Sequence, residues 1–268
     1  MEMNIKDKIA KLLDAVASMD EIKAIGQTGD INEIPRPGES DIDIFVMADS
    51  IPGYEDRRAL YNKNSSLFES LAMSVCEGGY WGTGDVFVID GVETMLMYFT
   101  IGETLKYVDE VLEGKHPDNV KGFYPVGRLA TLKNINVLYD ENGVYASLKE
   151  KLSTYPDKLK KYLADFHIAR INDEEDFGRA LLRKDVLFYH MVLETALDHY
   201  LQALYAVNHT YFPSRKRTKQ YMDAFAIKPE NCYERMLEVI KLGSGPEDLK
   251  GSYDVWLGLV RDLKAICS

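Results

Sequence analysis

The chain is poor in cysteine and tryptophan, has no long apolar run, and carries fewer bases than acids. Cys76, Cys232 and Cys267 are the three cysteines in 268 residues, and their spacing fits neither a disulfide framework nor a zinc-ligand pattern. A reducing compartment, the cytoplasm, is the expected location. No stretch approaches the roughly 20 apolar residues of a membrane helix, and the N-terminus lacks an apolar signal core. Lys and Arg total 32 against 43 Asp and Glu, a formal net charge of -11. That sign argues against broad, non-specific binding to nucleic acid, because phosphate backbones reward basic surfaces. It suits a cationic partner instead.

What is present is ordinary for a globular protein, with 46% hydrophobic and 28% charged residues. The chain divides near residue 150. Residues 1–150 alternate helix and strand signals, beginning with Ile5, Ile9, Leu12, Leu13 and Val16 at helical spacing. Strands are expected at 22–25, 42–47, 86–89, 92–99 and 135–139, with helices over 57–75 and 104–112. Asp90-Gly91 between two apolar runs is a hairpin signal. Residues 151–268 read as helical. Leu182, Val186, Tyr189, Leu193, Ala196, Tyr200, Ala203 and Val207 step by fours and threes, predicting one long helix. Further helices are expected over 156–170, 214–225, 232–241 and 249–266. The expected fold class is α+β, a mixed sheet followed by an antiparallel helical bundle.

The chemistry-bearing motif is Ser40-Asp41-Ile42-Asp43-Ile44 at the head of an apolar strand. Alternation along a strand puts Ile42 and Ile44 into the core and both aspartates on the opposite face, roughly 6 to 7 Å apart. Paired carboxylates in that setting suit one or two Mg²⁺ ions, with coordination positions left for phosphate. Upstream lies a glycine-containing stretch, Gly26-Gln27-Thr28-Gly29, where backbone can approach phosphate closely.

Together, Ala24-Ile25-Gly26-Gln27-Thr28-Gly29-Asp30 and, downstream, Ser40-Asp41-Ile42-Asp43-Ile44-Phe45-Val46 resemble the nucleotidyltransferase superfamily of the DNA polymerase β-like fold. The chain is most similar to the small bacterial branch containing aminoglycoside and lincosamide nucleotidyltransferases with a C-terminal helical domain. The resemblance implies a nucleotidyltransferase-like domain over 1–150 and a helical bundle domain over 151–268. It implies a nucleoside triphosphate and a hydroxyl-bearing acceptor as partners, no membrane, and room for a homodimer. Asp41 and Asp43 would hold Mg²⁺ or Mn²⁺; Gly26, Gln27, Thr28, Gly29, Ser40 and Lys216 would bind the nucleotide. Two positions depart from the pattern. Asp30 stands where the family has a serine, so either Thr28 supplies the hydroxyl or the loop is altered. Met95 stands where a third acid is expected, and Glu93, two residues earlier on the same face, is the candidate replacement. The alternative is a degenerate relative that binds nucleotide or a partner protein without turnover.

Other polar residues in the second half have plainer readings. His190 and His209 read as a packed side chain and a helix end. Ser214 to Lys219 is a basic run that reads as a solvated face or, through Arg215 or Lys216, as a phosphate contact. Glu194 and Asp198, one turn apart, form an acidic pair on the long helix.

Overall fold

The structure, a computed structural model, describes residues 3–267 apart from Ser40, Asn119 and Lys121. The chain forms two compact units, Met1–Asp109 with Thr131–Thr154, and Glu110–Ala130 with Tyr155–Ser268. The fold is α+β.

Helix α1 (Ile5–Ala17) opens the first unit. Asn4 caps it by accepting the Asp7 amide at 3.0 Å, and Ile5, Ile9, Leu12, Leu13 and Val16 are buried as their spacing dictates. Strands β1 (Ile22–Gln27) and β2 (Ile42–Ala48) follow, then helix α2 (Tyr54–Lys63). Strands β3 (Ser70–Cys76), β4 (Thr83–Ile89) and β5 (Val92–Thr100) precede helices α3 (Ile101–Leu112) and α4 (Pro125–Asn134), whose residues are divided between the two units. Strand β6 (Asn136–Asp140) and helix α5 (Val144–Ser153) complete the unit. The six strands lie in the order β3-β4-β5-β2-β1-β6. β2 and β5 pair in parallel, and the other neighbours are antiparallel. Between β4 and β5, Asp90 and Gly91 both take positive φ, 49° and 74°, as a tight hairpin turn requires.

The stretch expected as a helix over 57–75 divides into α2, a short 3₁₀ turn at Ser65–Leu67 and the edge strand β3. Leu, Ala and Met favour helix locally, but pairing with β4, Leu71 opposite Phe87, overrides the preference. β3 is irregular between Ala72 and Cys76, and Ser74 sits at φ 53° in the kink.

That kink serves a buried charge. Asp85 on β4 is fully buried and accepts from Arg57 Nε at 2.8 Å, the Tyr61 hydroxyl at 2.8 Å and the Ser74 amide at 2.9 Å. The Arg57 guanidinium also donates to the Pro52 carbonyl at 2.6 Å and to Ser74 Oγ at 3.1 Å, and Tyr61 shares a 2.6 Å hydrogen bond with Tyr98. Burial works against the Arg57 charge; the hydrogen bond and charge of Asp85 outweigh it, so the guanidinium pKa is raised. Burial, then the neighbouring Tyr98 and Asp85, push the Tyr61 hydroxyl far above its ordinary value, so it stays a donor.

The second unit contains helices α6 (Asp157–Ile168), α7 (Glu174–Arg183), α8 (Val186–Val207), α9 (Thr218–Ala224), α10 (Cys232–Gly243) and α11 (Leu249–Cys267). The single long helix expected from Leu182 onward is two. Lys184 turns left-handed at φ 52°, and Asp185 caps α8 by accepting the Phe188 amide at 3.0 Å. Leu182 consequently leaves the stripe and is 86% exposed, whereas Tyr189, Leu193, Ala196, Tyr200, Ala203 and Val207 are buried. Tyr200 packs on the buried Trp256 of α11. Among the described residues no helix is long and apolar enough to cross a membrane.

Replacing Arg57 with Met strands Asp85 in the core, and a loss of about 3–5 kcal/mol in urea unfolding is expected. The double variant Arg57→Met/Asp85→Leu should recover most of that loss, because it removes both buried charges together.

Candidate functional site

The first candidate lies at the start of β2. Ile42 and Ile44 join the core built with α1, while Asp41 and Asp43 fall on the other face, Asp41 exposed and Asp43 half-buried. In the parallel ladder Asp43 stands opposite Met95 and Ile42 opposite Thr94. Glu93, exposed on β5 one place before that ladder starts, shares the face of Met95.

Alongside, Gly26 and Gln27 lie inside β1 rather than in a loop, Gly26 paired with Phe45 and Val137, Gln27 with Ile44 and Asn136. Glycine at 26 answers a packing demand, since a Cβ there would meet Ile135 Cδ1 at 2.7 Å and the Tyr145 ring at 3.2 Å. The turn proper begins at Thr28, whose amide donates to the Asp43 carbonyl at 3.0 Å. Gly29 has φ +78° with open space around it, the conformation that favours glycine. Asn136 pins this turn by donating to the carbonyls of Gln27 and Gly29, at 3.2 and 2.7 Å. Asp30 turns back on its own loop and accepts the Asn32 amide at 2.8 Å. Ser40 lies outside the described residues.

The second candidate lies wholly within the helical unit. A cavity of about 650 Å³ is lined by residues including Asp118, Tyr124, Asp198, His199, Arg215 and Lys216. The acidic pair of α8 faces it and already has its cation. Asp198 accepts from the Tyr124 hydroxyl at 2.8 Å and from Arg215 Nε, and Arg215 also donates to the Glu194 carbonyl at 2.7 Å. Burial opposes the Arg215 charge, and Asp198 more than offsets it, raising the pKa. Burial first, then Asp198, raises the Tyr124 pKa, so the phenol remains a donor. Tyr211 and Phe212 are buried and fix the turn that carries the basic run, Phe212 stacking edge-on against Tyr124 and Tyr205. Lys216 is exposed at the cavity wall.

Behind His199 lies His167 of α6, fully buried, with the two Nδ1 atoms 2.9 Å apart. Burial, then the adjacent His199, hold His167 down to about 3; the Pro117 carbonyl pulls weakly the other way. Burial also lowers His199, against the charges of Asp118 and Asp198. Both rings are therefore neutral near pH 7. Sequence reasoning missed this pair, because the two histidines are far apart in sequence and neither belongs to a motif. His190, by contrast, packs as expected, with Nε2 3.0 Å from the Gly243 carbonyl. His209 follows the end of α8 and pairs with Asp157 at 3.0 Å.

Residues 124–218 match the family described as a domain of unknown function, DUF4037. Of the cavity-lining residues named above, all but Asp118 fall in that segment, and His167 does too. A nucleotidyltransferase-like protein from Exiguobacterium sibiricum 255-15 has a similar solved structure, with TM-score 0.49 and 9% identity over 98% of this chain and 75% of that one. No curated protein matches by sequence.

His167 makes the helical unit acid-sensitive. Between its ordinary pKa of 6.5 and about 3, the unfolded chain binds a proton that the folded chain does not. Its contribution is therefore complete above the higher value and lost as pH falls toward the lower. On lowering pH from about 7 to about 4.5, wild type should lose on the order of 2 kcal/mol more urea stability than His167→Gln. Equal losses would refute the assignment.

Proposed function

We propose that the chain is a metal-dependent nucleotidyltransferase, moving a nucleoside monophosphate from a triphosphate to an acceptor hydroxyl. The observation that carries this reading is the placement of Asp41 and Asp43. Asp43 lies in a strand that is otherwise apolar and Asp41 immediately precedes that strand, beside the turn at Thr28 and Gly29.

Their donor set fits Mg²⁺ or Mn²⁺, since carboxylate oxygens are the hard ligands such ions take. Asp41 and Asp43 would hold the ion; when bound, it would neutralise the triphosphate and polarise the α-phosphoryl group. Thr28 and Gly29 would lie against the β- and γ-phosphates. The acceptor oxygen attacks the α-phosphorus, the bond to the bridging oxygen breaks, and pyrophosphate leaves. The acceptor proton passes to a carboxylate on the same face, for which Glu93 is the candidate, or to water. Asp30 does not stand in the way, because its carboxylate is engaged in its own turn. The chain's acidic balance favours a cationic acceptor, a small molecule of aminoglycoside type.

A second reading, nucleotide binding without turnover, is favoured by one observation: Met95, not an acid, stands opposite Asp43.

Calorimetric titration with Mg²⁺ and each common nucleoside triphosphate, on wild type and on Asp41→Asn/Asp43→Asn, tests both. Metal-dependent binding that disappears in the variant is the expected result; no binding to wild type refutes both readings. Pyrophosphate release with candidate acceptors then separates transfer from binding alone.

A further inference from the structure

Among the described residues, one set of three His, Cys, Asp or Glu side chains brings a donor atom each within 4.8 Å of the others: Asp118, His167 and His199. They come from three separate places, the loop after α3, the last turn of α6 and the middle of α8. Nothing in local secondary structure requires them to meet. We propose that they form a binding site for a first-row divalent transition-metal ion in the wall of the helical unit's cavity, with two imidazole nitrogens and one carboxylate oxygen as ligands.

The donor chemistry sets the class of ion. Two neutral imidazoles and a carboxylate, without thiolate, suit Zn²⁺, Fe²⁺, Co²⁺ or Ni²⁺ rather than Mg²⁺ or Ca²⁺, which prefer all-oxygen shells. The Nδ1 atoms of His167 and His199 are 2.9 Å apart. For a metal at the usual 2.0–2.1 Å from each nitrogen, that separation gives an angle of about 90°, the cis angle of a five- or six-coordinate ion. A tetrahedral ion would need the rings to part by about half an ångström.

His167 is fully buried, and the Pro117 backbone carbonyl acts on its ring. With Nδ1 committed to a metal, Nε2 would carry the proton and that carbonyl would accept its hydrogen bond. A ligating histidine held by a backbone carbonyl is the usual outer arrangement.

The site also has an open side. Asp118 and His199 line the cavity, while His167 is fully buried behind them. Three protein ligands with a solvent-facing remainder is the pattern of a site that keeps exchangeable positions. It lies in a different unit from Asp41 and Asp43, and does not depend on the transferase reading.

The probe is Co²⁺, whose visible absorption reports nitrogen ligation, with Zn²⁺ as competitor. The host is Asp41→Asn/Asp43→Asn, which removes the other metal-binding aspartates. One equivalent of Co²⁺ should bind with visible bands and be displaced by Zn²⁺. His199→Gln should weaken binding by about 100-fold with far-UV circular dichroism unchanged. Should that variant fail to fold, Asp118→Asn, at a half-buried loop position, should weaken binding at least about tenfold. Absence of saturable Co²⁺ binding, or equal binding in a folded His199→Gln or Asp118→Asn protein, overturns the site. Loss of nucleotide binding elsewhere leaves this readout unchanged, so the two proposals fail separately.

Discussion

β2 is held by hydrogen bonds on both sides, antiparallel to β1 and parallel to β5, and its register determines what the sheet can do. Side chains on a strand alternate with a period of two, so the ladders that bury Ile42, Ile44 and Val46 also put Asp41 and Asp43 on the other face. A slip of one residue would drive Asp43 into the core against α1, which an unpaired carboxylate does not tolerate. The same ladder sets Met95 beside Asp43 and brings Glu93 next to the head of the strand. The buried Arg57–Asp85 pair supports this arrangement from one side: it ties α2 and the kink of β3 to β4, which in turn holds β5.

In the helical unit, α8 plays the corresponding part. Its buried stripe fixes the rotation of the helix, and that rotation turns Glu194, Asp198 and His199 toward one cavity. Arg215 neutralises the acidic pair from within, so the basic run there is structural at Arg215 and exposed at Lys216. The result is a cavity of mixed charge whose wall includes His199, with His167 buried behind it.

Much of the fold follows from local patterns along the chain. Helical periodicity placed α1, α6, α10 and α11; Asp90-Gly91 placed the β4–β5 hairpin; alternation at Ile42 and Ile44 set the facing of Asp41 and Asp43. Each of these depends on neighbours within a few residues, which is the range over which propensity and capping act. What tertiary structure alone decided is long-range. β3 is a strand because β4 offers it an edge, against the leaning of its own residues. Gly26 is a packing glycine because Ile135 and Tyr145 close over it. Asp85 can be buried only because Arg57 and Tyr61 of α2 and Ser74 of β3 reach it from two other elements. Asp118, His167 and His199 come close to one another only because α6 packs against α8 and the loop after α3 returns to them. No spacing in the chain encodes that meeting, since side chains so far apart in sequence are brought together by burial of apolar surface and not by any local rule.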